Sequence, residues 1–235
     1  MLRILVLNPN RSDTITKSIA ASLEQQRSLT RHKIHCADLP GAPVGIETDV
    51  DVAQVAPMVT HAIHTSEADA VVVACFSDPG VDQTRMTLPN RPVIGIAEAA
   101  YYTALQLGRR FGVLSLGPSS VARHAARLHR LDLLPRLVGD RAIGMTVAQG
   151  NRPESLPTLL ATAALLRDQD GADTVILGCA GMGRHRDALQ QALGLPVIDP
   201  VQAAVAVAIT TLDLHYFPNA TMRGHDDTPS HFRFT

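Results

Sequence analysis

Two cysteines stand where proton-transfer chemistry would want them. Cys75 closes the run Ala70-Val-Val-Val-Ala-Cys75 and is followed by Phe-Ser-Asp-Pro-Gly80. Cys179 closes Thr174-Val-Ile-Leu-Gly-Cys179 and is followed by Ala-Gly-Met182. The two are 104 positions apart, and Arg91-Pro-Val-Ile-Gly-Ile-Ala-Glu-Ala-Ala100 is echoed at that offset by Leu195-Pro-Val-Ile-Asp-Pro-Val-Gln-Ala-Ala204. The chain therefore reads as two copies of one unit, each presenting a thiol. Opposed thiols in one cleft suit the removal of a proton from one face of a carbon and the return of one to the other. A free cysteine titrates near pH ~8.5, so one thiolate and one thiol is the expected resting pair. Backbone N–H groups of Phe76-Ser77 and Ala180-Gly181 are the expected oxyanion donors. This scheme needs no metal and no organic cofactor.

The elements that position these thiols follow from the apolar pattern. Arg3–Leu7 is a buried strand ended by Asn8-Pro9-Asn10, and Ser12 caps a helix carrying Ile15, Ile19 and Leu23. Lys33–Asp38 alternates as a strand, with Cys36 as a core residue. Val52, Val55, Val59 and Ile63 form a helical stripe leading to the Cys75 strand. A strand at 92–96 and a helix at 98–107 complete the first copy. The second copy expects strands at 111–116, 142–147, about 174–179 and 196–199, with helices opened by Pro118 and Pro153, one ending near Gly194, and one running to about Leu212. Short aliphatic strands between amphipathic helices mean parallel sheets covered on both faces. The expected fold is α/β, with two pseudo-twofold-related lobes, each a four-stranded parallel sheet flanked by helices. Lobe 1 takes residues 1–97 plus about 207–235, and lobe 2 takes 98–206. The ligand site belongs in the cleft between them, at the carboxyl ends of the strands.

Composition narrows the function classes. Of 235 residues 46% are apolar, enough for a substantial core, and 18% are charged, which argues against disorder. A net charge of −1 gives no electrostatic case for nucleic acid or a membrane surface. The apolar start Met1–Leu7 breaks too early for a signal peptide or a span. Three cysteines do not make a secreted disulfide framework, so a cytoplasmic protein with free thiols is expected. His32 and His35 lack the further ligands that a metal site requires, and Gly178, Gly181 and Gly183 lack the spacing of a nucleotide loop.

Asn8-Pro-Asn-x-Ser12, Ala74-Cys-Phe-x-Asp-Pro-Gly80, Pro92-Val-Ile-Gly-Ile-Ala-Glu-Ala-Ala100, Gly178-Cys-Ala-Gly-Met182 and Pro196-Val-Ile-Asp199 together resemble the hydantoin/allantoin racemases of the cofactor-independent aspartate/glutamate racemase superfamily. The resemblance runs from about residue 3 to 212. It implies racemisation of a 5-substituted hydantoin or allantoin, a cyclic ureide, with Cys75 and Cys179 as the two bases. It also places Asn10, Phe76, Ser77, Ala180 and Gly181 in substrate-contact segments and matches Ile46 to the isoleucine of the family's loop before the first long helix. A homo-oligomer is usual in this family. Where the family carries a Thr-Thr pair at the pocket wall, this chain has Ser115-Leu116, one hydroxyl fewer. The family's Gly-Pro-x-x-Ile-Glu loop is one residue longer here, as Gly41-Ala-Pro-Val-Gly-Ile-Glu47. Asp199 is followed by Pro200 where a glycine is common.

Other readings compete. The amino-acid racemases place a carboxylate after the first strand and a histidine after the second cysteine. Asn8 and Ala180-Gly181 depart from that pattern and disfavour free aspartate or glutamate. Arylmalonate-type decarboxylases lack the first cysteine, whereas maleate cis–trans isomerases keep two. A non-catalytic binding protein would tolerate serine at both positions, and a Cys75–Cys179 disulfide would make a redox pair.

Overall fold

The computed structural model describes residues 1–217. The last part of the expected first lobe, and the tail given to it, lie outside the described residues. The chain alternates strands and helices. The first half contains β1 (Arg3–Asn8), α1 (Asp13–Ser22), α2 (Glu24–Leu29), β2 (Lys33–Asp38), α3 (Asp49–Thr65), β3 (Ala70–Val73), α4 (Val81–Thr87) and β4 (Val93–Gly95). The second contains α5 (Ile96–Leu107), β5 (Phe111–Ser115), α6 (Pro118–Arg130), β6 (Leu137–Ala142), α7 (Val147–Gly150), α8 (Leu156–Asp168), β7 (Thr174–Leu177), α9 (Arg186–Leu193), β8 (Val197–Ile198) and α10 (Pro200–Asp213). Two four-stranded sheets result, ordered β2-β1-β3-β4 and β6-β5-β7-β8. All the strand pairs are parallel.

Side-chain alternation along β3 explains the layering. Val71 and Val73 face one apolar cluster, with Val55, Val59 and Ile63 of α3 and Val81 of α4. Ala70 and Val72 face a second and larger cluster that also takes in Val175–Leu177 of β7. That shared core is built around α5 and α10, which pack against one another. α5 leaves the first sheet and lies on β7, while α10 leaves the second and lies on β3. Each half thus lends its last helix to the other half's sheet.

Three expectations needed correction. The strand expected at 142–147 is found at Leu137–Ala142. It is an edge strand, and its polar residues are ion-paired: Asp140 with His124, and Arg141 with Asp170. It therefore lacks an aliphatic signature, and the Ile143/Met145/Val147 alternation lies just beyond it. The segment between the Asp78-Pro79-Gly80 turn and the strand at 92, to which the apolar pattern assigns no element, holds α4. The helix before β5 starts at Ile96, because its first turn is capped from outside its own sequence, as described below.

Candidate active site

In each sheet the chain reverses direction beside the first strand, with β1 next to β3 and β5 next to β7. Such switch points leave a crevice at the carboxyl ends of the strands. Cys75 lies two residues beyond β3 and Cys179 two beyond β7. The residue before each thiol is tied to the neighbouring strand in the same way: Ala74 N–H donates to Leu7 O and Gly178 N–H to Leu114 O, both at 2.8 Å. Both thiols line a single cleft.

Of the residues expected there, Asn10, Ile46, Cys75, Phe76, Ser77, Leu116, Cys179, Ala180 and Gly181 all line this cleft. Asn10 Oδ1 accepts from Asn8 Nδ2 and from Ser12 N–H, each at 2.9 Å, which fixes the orientation of its amide. Ser115 is not in the lining. It is fully buried, and its hydroxyl bonds to Asp140 and to His124 Nδ1. The single hydroxyl left at that strand end is therefore used behind the wall.

Sequence reasoning missed the contribution of α6. Ser120, Arg123 and His124 face the cleft at i, i+3 and i+4. A Pro-opened helix with many basic residues reads as solvated, and only the burial of His124 among polar partners reveals the inward face. His124 Nδ1 lies 2.8 Å from Asp140 Oδ2, and its ring meets Phe76 edge-on at 4.9 Å. Arg123 Nε donates to Ser77 Oγ at 3.3 Å, while Nη1 reaches Asp49 at 2.7 Å. Glu47, at the end of the longer loop, ties that loop to the second half of the chain. Its carboxylate accepts from Val147 N–H at 2.9 Å and its carbonyl from Ser119 Oγ at 2.8 Å.

Burial pushes both thiols above the ordinary cysteine range, Cys75 to about 11 and Cys179 to about 12. The Ser77 N–H opposes this at Cys75, and the Gly181 N–H does the same at Cys179. Burial therefore works against the thiolate-plus-thiol pair expected from an unperturbed cysteine. All three cysteines are free thiols. Cys36 keeps to the core side, accepting from Arg27 Nη2 at 3.3 Å. His32 is buried against Asp213 at 3.1 Å. Among the described residues no cluster of three or more His, Cys, Asp or Glu side chains is placed to hold a metal ion.

The profile of the Asp/Glu/Hydantoin racemase family matches residues 4–208. The chain belongs to the Asp/Glu/hydantoin racemase family. It is an isomerase of the racemase type. A hydantoin racemase of Paenarthrobacter aurescens is 35% identical, over 92% of this chain and 93% of that one. Among solved structures, an allantoin racemase from Klebsiella pneumoniae superposes with a TM-score of 0.85 at 29% identity, covering 93% of this chain and 94% of its own. An allantoin racemase from Pseudomonas fluorescens gives 0.85 at 28% identity, with all of both chains covered. The racemase fold accounts for the two paired sheets. No helix among the described residues is long and apolar enough to cross a membrane.

Proposed function

We propose that this racemase inverts the ring carbon of a 5-substituted hydantoin or of allantoin, with Cys75 and Cys179 as the two bases. The observation that carries the reading is the arrival of both thiols in one cleft from matching turns beyond β3 and β7. A thiolate on one side takes the proton from the ring carbon and becomes a thiol. The electron pair moves onto the adjacent carbonyl oxygen as an enolate. The opposite thiol then delivers its proton to the other face and is left as a thiolate. Asn10 turns its Oδ1 toward Asn8 and Ser12, which leaves Nδ2 as a donor to a ring carbonyl. The Ala180 N–H, the first of the Ala180–His185 turn, is suited to the developing oxyanion, beside the Gly181 N–H that faces Cys179. No cofactor enters this scheme. The protein acts on a small molecule, in the cytoplasm, as a homo-oligomer.

The test is a panel of single enantiomers: allantoin, 5-alkyl hydantoins, 5-benzyl hydantoin, aspartate and glutamate, with maleate and a prochiral arylmalonate alongside. Decay of optical rotation to zero with a hydantoin or allantoin supports the reading. Turnover of maleate or the arylmalonate alone, or of a free amino acid alone, replaces it.

A further inference from the structure

The two halves of the cleft share a backbone but differ in charge. At Cys179 the helix that packs over the turn is α1, and it presents Ile15. The carboxylates of Glu47 and Asp199 both disfavour a thiolate at Cys179. At Cys75 the corresponding wall is α6, whose Arg123 is the only Arg or Lys side chain in the lining among the described residues. Its guanidinium is fixed from outside by Asp49 at 2.7 Å, by Ser120 Oγ at 3.2 Å and by the Glu47 carbonyl at 3.3 Å. Its Nε points inward and donates to Ser77 Oγ at 3.3 Å. Ser77 follows Cys75 by two residues, and both its N–H and its hydroxyl favour a charged Cys75.

We propose that Arg123, by its own charge and by its hold on Ser77, makes Cys75 the first of the two thiols to ionise, so that Cys75 starts as the base and Cys179 as the acid. Arg123 is a positioning residue in this scheme, since it touches Ser77 and not the reacting carbon. The other groups that face Cys75 do not reverse the order. Asp78, on the same loop, opposes a thiolate there, but its two oxygens accept from Ala97 and Glu98 N–H, each at 3.0 Å, at the start of α5. The partial positive charge of that helix end offsets the carboxylate. His124 on α6 is paired through Nδ1 with Asp140 of β6. Across the cleft stand Cys179 and Glu47, and Glu47 bears on Cys179. Asp49 is mostly exposed, so water screens its effect on the Arg123 charge.

The catalytic consequence rests on the two-thiol reading above, but the order of ionisation is a property of the free protein and is measured without turnover. The intact chain is treated briefly with iodoacetamide from pH 8 to 10, below both midpoints, where each thiol's alkylation rate follows its thiolate fraction and the ratio of rates gives the difference in midpoint. A thiolate displaces iodide to form the S–C bond, and the Cys75 and Cys179 peptides are quantified by mass spectrometry. Cys75 is expected to alkylate with a midpoint about 1 pH unit below that of Cys179, the size of effect a nearby opposite charge produces. Arg123→Gln moves the Cys75 midpoint up by about the same amount and leaves Cys179 in place, while Arg123→Lys restores part of the difference. A purely structural Arg123 would shift both sites together. Ser77→Ala, which removes the relay without touching the cation, raises the Cys75 midpoint alone. Equal midpoints in the parent, or Cys179 ahead of Cys75, overturn the proposal even if no variant folds. Absence of turnover on every hydantoin, with the alkylation order intact, counts against the function and not against this inference.

Discussion

Desolvation raises the pKa of Cys75 and Cys179 more than the N–H groups aimed at them lower it. That has a kinetic consequence. The dependence of kcat/KM on pH reports the ionisations of the free enzyme, and the two thiols titrate as a coupled pair. With Cys75 near about 11 and Cys179 near about 12, kcat/KM should still be climbing at pH 9, where an unperturbed cysteine (~8.5) would already have levelled off. Initial rates from pH 7 to 10 check this, and a plateau by pH 8.5 would contradict it. Ser115 carries a second prediction at this scale. Its hydroxyl is spent on Asp140 and His124, so Ser115→Ala should lower stability by ~1 kcal/mol with less than a severalfold change in kcat/KM. Thermal melts and steady-state rates separate the two effects. The cysteines were legible in the sequence because the chain repeats their setting. Arg123 and His124 were not, because nothing repeats α6's inward polar face and basic residues on a helix ordinarily face water.

The elements behind the thiols are held by the same device built from opposite ends. α10 is capped by its own Asp199, which accepts from Val201 N–H at 2.8 Å. α5 has Gly95 at its cap and borrows Asp78 from the Cys75 loop. A Cβ at Gly95 would fall within the Asp78 carboxylate, and one at Gly183 within that of Asp199. Each carboxylate therefore requires a glycine on the facing segment. Burial raises both carboxyls to about 6. Gly95→Ala should push Asp78 off the helix end, three residues from Cys75. A loss of ~1–3 kcal/mol is expected, as for overpacking in a tight interior, together with reduced activity. Denaturant titration measures the first, and an unchanged midpoint would refute the cap. Sequence reasoning found most elements here, because aliphatic strands and N-cap residues are local signals. It missed the true position of β6 and the early start of α5. A strand held by ion pairs shows no apolar period, and a cap lent from residue 78 cannot be read beside residue 96.

At the scale of the molecule, duplication supplies two matching switch points, and the exchange of α5 and α10 holds them against each other through one core. The loop around Ile46 and Glu47 then ties the first half to Ser119, Arg123 and Val147 of the second. The two-lobed architecture was readable from the offset between repeats. Which sheet α10 covers was legible only from about residue 207, since no local pattern says which sheet an apolar helix covers. In the proposed reaction the two thiols serve opposite faces of one carbon. The most direct measurement follows a single enantiomer of the accepted hydantoin or allantoin in deuterated water, with Cys75→Ser and Cys179→Ser beside the parent. The parent should deliver deuterium at the ring carbon to newly formed product while unreacted substrate keeps its hydrogen at early times. Each serine variant should lose racemisation. Early label in the substrate pool, or a serine variant that racemises at the parental rate, would contradict two-base catalysis by Cys75 and Cys179.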